Sequence, residues 1–306
     1  MKLTILIGLP ASGKTKWAMQ NRGKNDVIVC RDDIRYSNYG VWHGDPIDEN
    51  HVTKIERQQM IAAFENGYSV ISANTNLNKR NVQRMVDLAA QFGAEVGYVY
   101  FELPPATCIE YDKHRDKKVG AKVINRMARK AGINDKGWIP KHNYYLHKIE
   151  PYKPKVHYPK ALVIDIDGTI ALNDSGRSPY DYSRVYEDSV RRDVVEVMEG
   201  WKESQHHDDY SAHIVFLSGR SAECRDETLR WLKTKLGLRW ESKEYHLFMR
   251  PEEDPDTADF IVKDRLFDEH VADRFNVVGV FDDRRQVVQM WRTKGLTVFD
   301  VAGNKF

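Results

Sequence analysis

Leu3-Thr-Ile-Leu-Ile7-Gly8-Leu-Pro-Ala-Ser-Gly13-Lys14-Thr15 reads as an apolar strand that empties into G-x-x-x-x-G-K-[ST] and then opens a helical pattern. Glycines let such a loop curl, so that successive N–H groups point inward. The following helix adds its positive N-terminal end, and together they form a cradle for phosphate oxygens. In this setting Gly8, Ser12, Gly13, Lys14 and Thr15 form a triphosphate-binding set. Lys14 lies toward the β- and γ-phosphates, and the Thr15 hydroxyl is a ligand for the Mg2+ that accompanies ATP. An ordinary glycine-rich turn is the competing reading, and the strand before and helix after argue against it.

Working outward, strands are expected at Leu3–Ile7, Val27–Cys30, Ser69–Ser72 and Glu95–Phe101, with helices at Asp48–Glu65 and Asn78–Phe92. The second half repeats the rhythm. Strands are expected at Ala161–Ile164, His213–Leu217, Tyr245–Phe248, Val277–Phe281 and Thr297–Phe299, and helices at Asp188–Lys202, Ala222–Lys235, Ala258–His270 and Arg285–Lys294. Strands that alternate with helices predict an α/β protein of two domains, each a mainly parallel sheet flanked by helices. Pro151-Tyr-Lys-Pro-Lys-Val-His-Tyr-Pro159 cannot sustain a helix or a central strand, so it is read as a linker. The expected domains are therefore residues 1–150 and 160–306, joined by 151–159.

Arg31-Asp32-Asp33-Ile34-Arg35 follows the second strand, at the sheet edge where open α/β folds bind ligands. A carboxylate there can take the proton of an attacking hydroxyl, and an arginine can clamp a phosphate. The alternative is a capped helix with Asp32 as N-cap and the arginines facing solvent. From Lys113 to Lys130 eight Lys or Arg stand against one acid. That stretch suits a lid that brings positive charge to a triphosphate, or else a solvated helix.

In the second half, Ala161-Leu-Val-Ile-Asp165-Ile-Asp167-Gly168-Thr169 is a buried-type strand emptying into D-x-D-G-T. Two neighbouring carboxylates repel, and a divalent cation relieves the repulsion. One of them can then attack phosphorus, while the other handles the leaving group's proton and that of the hydrolytic water. Ser218-Gly219-Arg220, Lys263 and Asp282-Asp283 fit the same scheme: a hydroxyl and backbone amides for a phosphoryl oxygen, a neutralising ammonium, and further metal ligands. A capped turn, a solvated lysine and a helix N-cap are the plainer readings of these three.

The chain has 306 residues, 41% of them hydrophobic, and a net charge of +2 from 47 basic and 45 acidic side chains, which does not mark it out as a general polyanion binder. Cys30, Cys108 and Cys224 are too few and too scattered for a disulfide framework, so a reducing cytoplasm is expected. No apolar run is long enough for a bilayer, and GKTKW stands where a signal-peptide cleavage site would fall.

G-x-P-x-S-G-K-[ST], R-D-D-x-R and Thr75-Asn-Leu-Asn78, in that order, resemble the kinase half of bacteriophage polynucleotide kinase–3′-phosphatases. The second half is similar to the haloacid-dehalogenase phosphatase superfamily. It resembles the phage enzymes further through Gly176-Arg177-Ser-Pro-Tyr180-Asp and Asp282-Asp-Arg-Arg-Gln-Val-Val-Gln-Met-Trp-Arg292. The resemblance lapses mainly around 37–66 and 130–160. It implies ATP as phosphate donor and Mg2+ as cofactor, with Asp32 as general base, Arg35 on the acceptor's phosphate and Arg115 as a lid arginine. It further implies Asp165 as nucleophile, Asp167 as general acid/base and Asp282 as metal ligand, with Arg177, Arg220 and Arg250 on the substrate phosphate. Nucleic-acid ends as substrate, a functional link to a ligase, a homotetramer and host cytoplasm are implied as well. The chain departs from the pattern at Asn74, where the family has aspartate, and at Tyr111, where it has arginine. An aspartate at 74 is expected to hold Arg35 or a lid arginine. Two other readings stay open: a small-molecule kinase fused to a metabolite phosphatase, and a protein that binds nucleic-acid ends with one decayed site.

Overall fold

The computed structural model of the chain describes residues 1–178, 181–205 and 212–302. It divides into two units, Met1–Lys148 and Ile149–Phe306.

The first unit runs β1 (Lys2–Gly8), α1 (Lys14–Asn21), β2 (Asp26–Val29), α2 (Arg31–Tyr39), α3 (Glu49–Glu65), β3 (Ser69–Ser72), α4 (Lys79–Gln91), β4 (Glu95–Phe101), α5 (Pro105–Asp112) and α6 (Ala121–Lys130). The strands form one parallel sheet in the order β2-β3-β1-β4. In α4, Val82, Val86, Ala89 and Ala90 recur at helical spacing and bury one face against the sheet. Asn78 starts that helix by accepting the Asn81 N–H at 3.1 Å. Leu3, Ile5, Val70 and Val29 are fully buried, and each contributes about 1.5–3 kcal/mol of apolar burial. α5 had no counterpart among the expected elements, and α6 lies in the basic stretch whose alternative reading was a solvated helix.

The second unit runs β5 (Lys160–Ile164), β6 (Ala171–Leu172), β7 (Ser189–Val190), α7 (Arg192–Ser204), β8 (His213–Ser221), α8 (Arg225–Lys235), β9 (Tyr245–Arg250), α9 (Asp259–His270), β10 (Asn276–Asp282), α10 (Arg285–Thr293) and β11 (Val298–Asp300). Its main sheet is parallel in the order β11-β10-β5-β8-β9, and β6 and β7 form a small antiparallel pair. β5 is buried on both faces, as its continuous apolar run requires of a central parallel strand.

Two expected helices change at their starts. The one expected from Asp188 begins at Arg192, because Ser189–Val190 pairs with β6 first. The one expected from Ala222 opens with a single 3-10 turn, Ala222–Cys224, before α8. The stretch read as a linker is fastened to the second unit. Tyr152 donates its N–H to the Lys294 carbonyl at 2.8 Å and its hydroxyl to the Phe275 carbonyl at 2.9 Å, and packs edge-on against Phe267. An aromatic anchor outweighed the proline signal there. The three cysteines are free and buried.

Candidate active sites

At the end of β1 the chain turns through Gly13, which sits in the left-handed region at φ 94° and caps α1. A side chain at Gly8 would strike Phe101 and Ser12, so the glycine keeps β1 close to β4. Lys14 is buried and donates to the carbonyls of Gly8 (3.0 Å) and Leu9 (2.6 Å) and to the Ser12 hydroxyl (3.1 Å). Burial, with a smaller contribution from Arg115, lowers its pKa to about 7 against the opposing effects of Cys108 and Asp32. The ammonium thus fills the loop with its own carbonyls as partners, while Thr15 faces solvent.

Beside this loop, α2 begins at Arg31 with Cys30 as N-cap, so Asp32 is not the cap of its helix. Instead its carboxylate accepts from Arg35 Nη1 at 2.7 Å, one turn along. Arg35 also donates to Glu49 at 2.8 and 3.1 Å, and Arg31 donates to Glu49 (2.6 Å) and Glu56 (2.7 Å). Asn74 does not meet Arg35. It accepts the Arg31 backbone N–H at 2.7 Å and donates to Glu56 Oε1 at 2.7 Å, so an aspartate here would face a carboxylate and not an arginine. The basic stretch leaves α5 as a loop pinned by Asp112, whose carboxylate accepts the N–H groups of Val119 (3.0 Å) and Gly120 (2.8 Å). Arg115 lies 3.7 Å from Asp112, Tyr111 is exposed, and Lys117 pairs with Asp33 at 2.6 Å.

In the second unit the three central strands β10, β5 and β8 end side by side. They bring together Asp282, Asp165 and Ser218, residues far apart in the chain. Asp165, Asp282 and Asp283 each present an oxygen, and these lie within 4.8 Å of one another. Lys263, buried in α9, donates to Asp165 at 2.6 Å and to Asp282 at 2.9 Å, and Thr169 donates to Asp165 at 3.0 Å. Burial pushes the Asp165 carboxyl up to about 7 and Asp283 up to about 6. Lys263 works in the opposite direction on both, and its own pKa is raised by Asp165 and Asp282 despite burial. Three acids around one ammonium leave excess negative charge, and an all-oxygen set of this kind suits a hard divalent cation. Gly168, at φ 81°, lets the turn pass against Asp283, where a side chain would collide with that carboxylate.

Asp167 is not part of this cluster. Its carboxylate is partly exposed and accepts a two-pronged pair from Arg220, at 2.8 and 2.7 Å. Arg220 and Arg177 are both gathered by Asp188, which is buried and accepts from Arg177 at 2.7 and 2.6 Å and from Arg220 at 2.9 Å. Arg250 does not join them. Its guanidinium donates to the backbone carbonyls of Gly219 (3.0 Å), Asp254 (3.0 Å) and Thr257 (2.7 Å), which makes it a clamp on the loops. Ser218 is buried and accepts the Arg220 N–H at 3.2 Å. Gly219 has Asp259 packed where a side chain would stand. Pro179 and Tyr180, part of the Gly176–Asp181 motif, lie outside the described residues.

Sequence reading missed Glu49, Glu56, Asp112, Asp188 and Asp259. Asp259 had a local signal, standing four residues before Lys263 on one helix and 3.9 Å from it. Asp188 had none, since its partners arrive from other strands.

Residues 159–306 match the family model of the polynucleotide kinase PNKP phosphatase domain, and residues 3–132 match that of an AAA domain. The two halves of the chain thus match two different family models, an AAA domain in the first and a PNKP phosphatase domain in the second. A putative bifunctional polynucleotide kinase/RNA ligase of Autographa californica nuclear polyhedrosis virus is 30% identical over 98% of the chain. The chain spans 42% of that relative's length. A chain in the solved Pnkp1/Rnl/Hen1 RNA repair complex is 29% identical, with 98% of this chain and 95% of that one covered and a TM-score of 0.44. Among the described residues no helix is long and apolar enough to cross a membrane.

Proposed function

We propose that the chain heals nucleic-acid ends, moving the γ-phosphate of ATP to a 5′-hydroxyl and removing a 3′-terminal phosphate. The observation that carries this reading is one chain with a lysine-filled phosphate loop beside Asp32 and a PNKP-type phosphatase domain with Asp165 at the end of its central strand.

In the first unit the acceptor oxygen attacks the γ-phosphorus as its proton passes to Asp32, and the bond to the β-phosphate oxygen breaks to leave ADP. Lys14 exchanges its loop carbonyls for phosphate oxygens, Thr15 holds the nucleotide's Mg2+, and Arg115 comes in from the basic loop. Arg35, already tied to Asp32, orients that carboxylate and meets the acceptor's phosphate.

In the second unit an oxygen of Asp165 bonds to the phosphorus of the 3′-phosphate. The bond to the sugar oxygen breaks, and that oxygen takes a proton from Asp167. Water then attacks the aspartyl-phosphate, giving its proton to Asp167 and releasing inorganic phosphate. Lys263 favours the ionised form of Asp165, and Ser218 with the Gly219 and Arg220 amides receives a phosphoryl oxygen. Bound among Asp165, Asp282 and Asp283, Mg2+ supplies positive charge that offsets the carboxylates and the phosphoryl group. An incoming phosphate competes for Arg220 and Arg177, which releases Asp167 from its ion pair and lets it take up from solvent the proton that it then gives to the leaving oxygen. The baculovirus relative is named as a kinase/RNA ligase, so a ligase is the activity we propose acts next, on the 5′-phosphate and 3′-hydroxyl ends produced here.

The test is one oligonucleotide with 5′-hydroxyl and 3′-phosphate ends. Asp165→Asn is expected to abolish phosphate release while 5′-labelling stays within about threefold, and Lys14→Ala to do the reverse. Loss of both reactions from either change in a folded protein would refute two separate sites, and phosphorylation of free nucleosides alone would refute the polymer substrate.

A further inference from the structure

Where the family resemblance begins to lapse, after Arg35, the chain carries a feature that the two reactions do not use. Trp42, in the loop after α2, stacks on Tyr36 of α2 with ring centroids 4.7 Å apart and planes 13° from parallel. Tyr36 is 52% exposed although it belongs to this stack, so the pair offers an aromatic surface to solvent. The stack stands beside the acceptor side of the kinase site. Asp32, Arg35 and Tyr36 are spaced i, i+3 and i+4, which puts them on one face of α2, and the Asp32–Arg35 bond at 2.7 Å runs along that face. Four helical residues advance about 6 Å, the reach of a single nucleoside.

Lys117 and Arg35 flank the stack, each paired with a carboxylate that an incoming phosphate can displace. Lys117, from the basic loop, lies over the Trp42 ring at 5.7 Å from its centroid and pairs with Asp33 at 2.6 Å. His43 meets the Lys118 carbonyl at 3.1 Å, so the loop that carries Trp42 and the basic loop are joined at two points. A flat aromatic surface with flanking Lys and Arg is the combination that holds a base by its face and its backbone by charge.

Resting on the kinase reading above, we propose that Tyr36 and Trp42 form a stacking platform for the base of the nucleotide that bears the 5′-hydroxyl. The base extends the Tyr36–Trp42 stack while its sugar hydroxyl faces Asp32. Because the contact is with a base face, the platform takes any of the bases but requires the terminal base to be unstacked from a partner strand. It binds and positions substrate and takes no part in bond making.

The experiment uses the full chain and oligonucleotides with 2-aminopurine as the 5′-terminal base, whose fluorescence falls when it stacks. Binding without ATP is expected to quench a 5′-terminal probe more than the same probe four nucleotides inward. Tyr36→Ala and Trp42→Ala are expected to remove that difference, and Tyr36→Phe to keep it. In kinase assays Tyr36→Ala is expected to raise KM for the normal oligonucleotide about tenfold with kcat within about twofold. For an oligonucleotide with a 5′-terminal abasic nucleotide the parent is expected to show the same rise, and Tyr36→Ala to add nothing. Unchanged ATP affinity and melting temperature show that the variants fold. Equal quenching at both probe positions, or an equal loss on normal and abasic substrates, would overturn the platform. Phosphorylation with no position-dependent quench would leave the kinase and remove the platform, whereas quench without phosphorylation would do the opposite.

Discussion

Replacing Asn74 by aspartate restores the residue of the family pattern, yet the structure predicts that it will harm this protein. Asn74 Nδ2 donates to Glu56 at 2.7 Å, and Glu56 is largely buried and also bonded to Arg31 at 2.7 Å. Aspartate removes a charge-assisted hydrogen bond worth about 1.5–3 kcal/mol. It also sets two carboxylates about 4 Å apart, which costs up to about 4 kcal/mol at an effective dielectric near 20. Arg31 offsets part of that, and protonation of the new carboxyl limits the rest. A net loss of about 2–4 kcal/mol from the first unit is expected at pH 8. The folded carboxyl's pKa would be raised above its unfolded value, so the deficit is absent below about pH 4 and grows as pH rises toward the folded pKa. Thermal unfolding and hydrogen exchange of β1 and β3 amides at pH 5 and pH 8 would measure it. Glu56→Gln combined with Asn74→Asp should recover most of the loss, since the hydrogen bond is then remade with its direction reversed. An Asn74→Asp protein that melts like the parent at pH 8, or a double variant with no recovery, would show that this contact is not what position 74 contributes.

Three further outcomes follow from other contacts. Lys14 has a pKa of about 7 in the resting loop, and ATP phosphates would raise it, so ATP binding at pH 8 should take up a proton and weaken as pH rises; calorimetry in buffers of different ionisation enthalpy measures this. Asp165 and Asp283 are raised to about 7 and about 6, so without Mg2+ the second unit should lose stability as pH rises from about 4 to 7. Added Mg2+ should then raise its Tm more at pH 7.5 than at pH 5, and a pH-independent Mg2+ effect would argue against binding at these carboxylates. Arg250→Ala should lower the unit's melting temperature while leaving KM for a 3′-phosphate end within about threefold, because its donors serve three backbone carbonyls and the Asp259 carboxylate; a KM effect without a Tm effect would restore it to the substrate site.

Sequence alone determined whatever depends on neighbours along the chain. The parallel α/β class follows from apolar runs alternating with helical patterns, and both glycine turns at strand ends follow from glycines at fixed distance from an apolar run. Such signals are local because strand pairing and turn geometry constrain consecutive residues. The placement of Lys263 beside Asp165 was expected too, since the sequence joined it with the D-x-D-G-T strand in one scheme. Tertiary structure decided which partner each charged side chain found. Arg177 and Arg220 meet at Asp188, and Asp167 joins them through Arg220, only because the ends of β5, β7 and β8 are brought together. Asn74 meets Glu56 and Arg31, not Arg35, because α3 packs across the start of α2. Buried charges must be paired, but several partners of opposite sign satisfied that rule equally well in the sequence. Only the packed geometry, in which a difference of a few ångströms decides the pairing, selected among them.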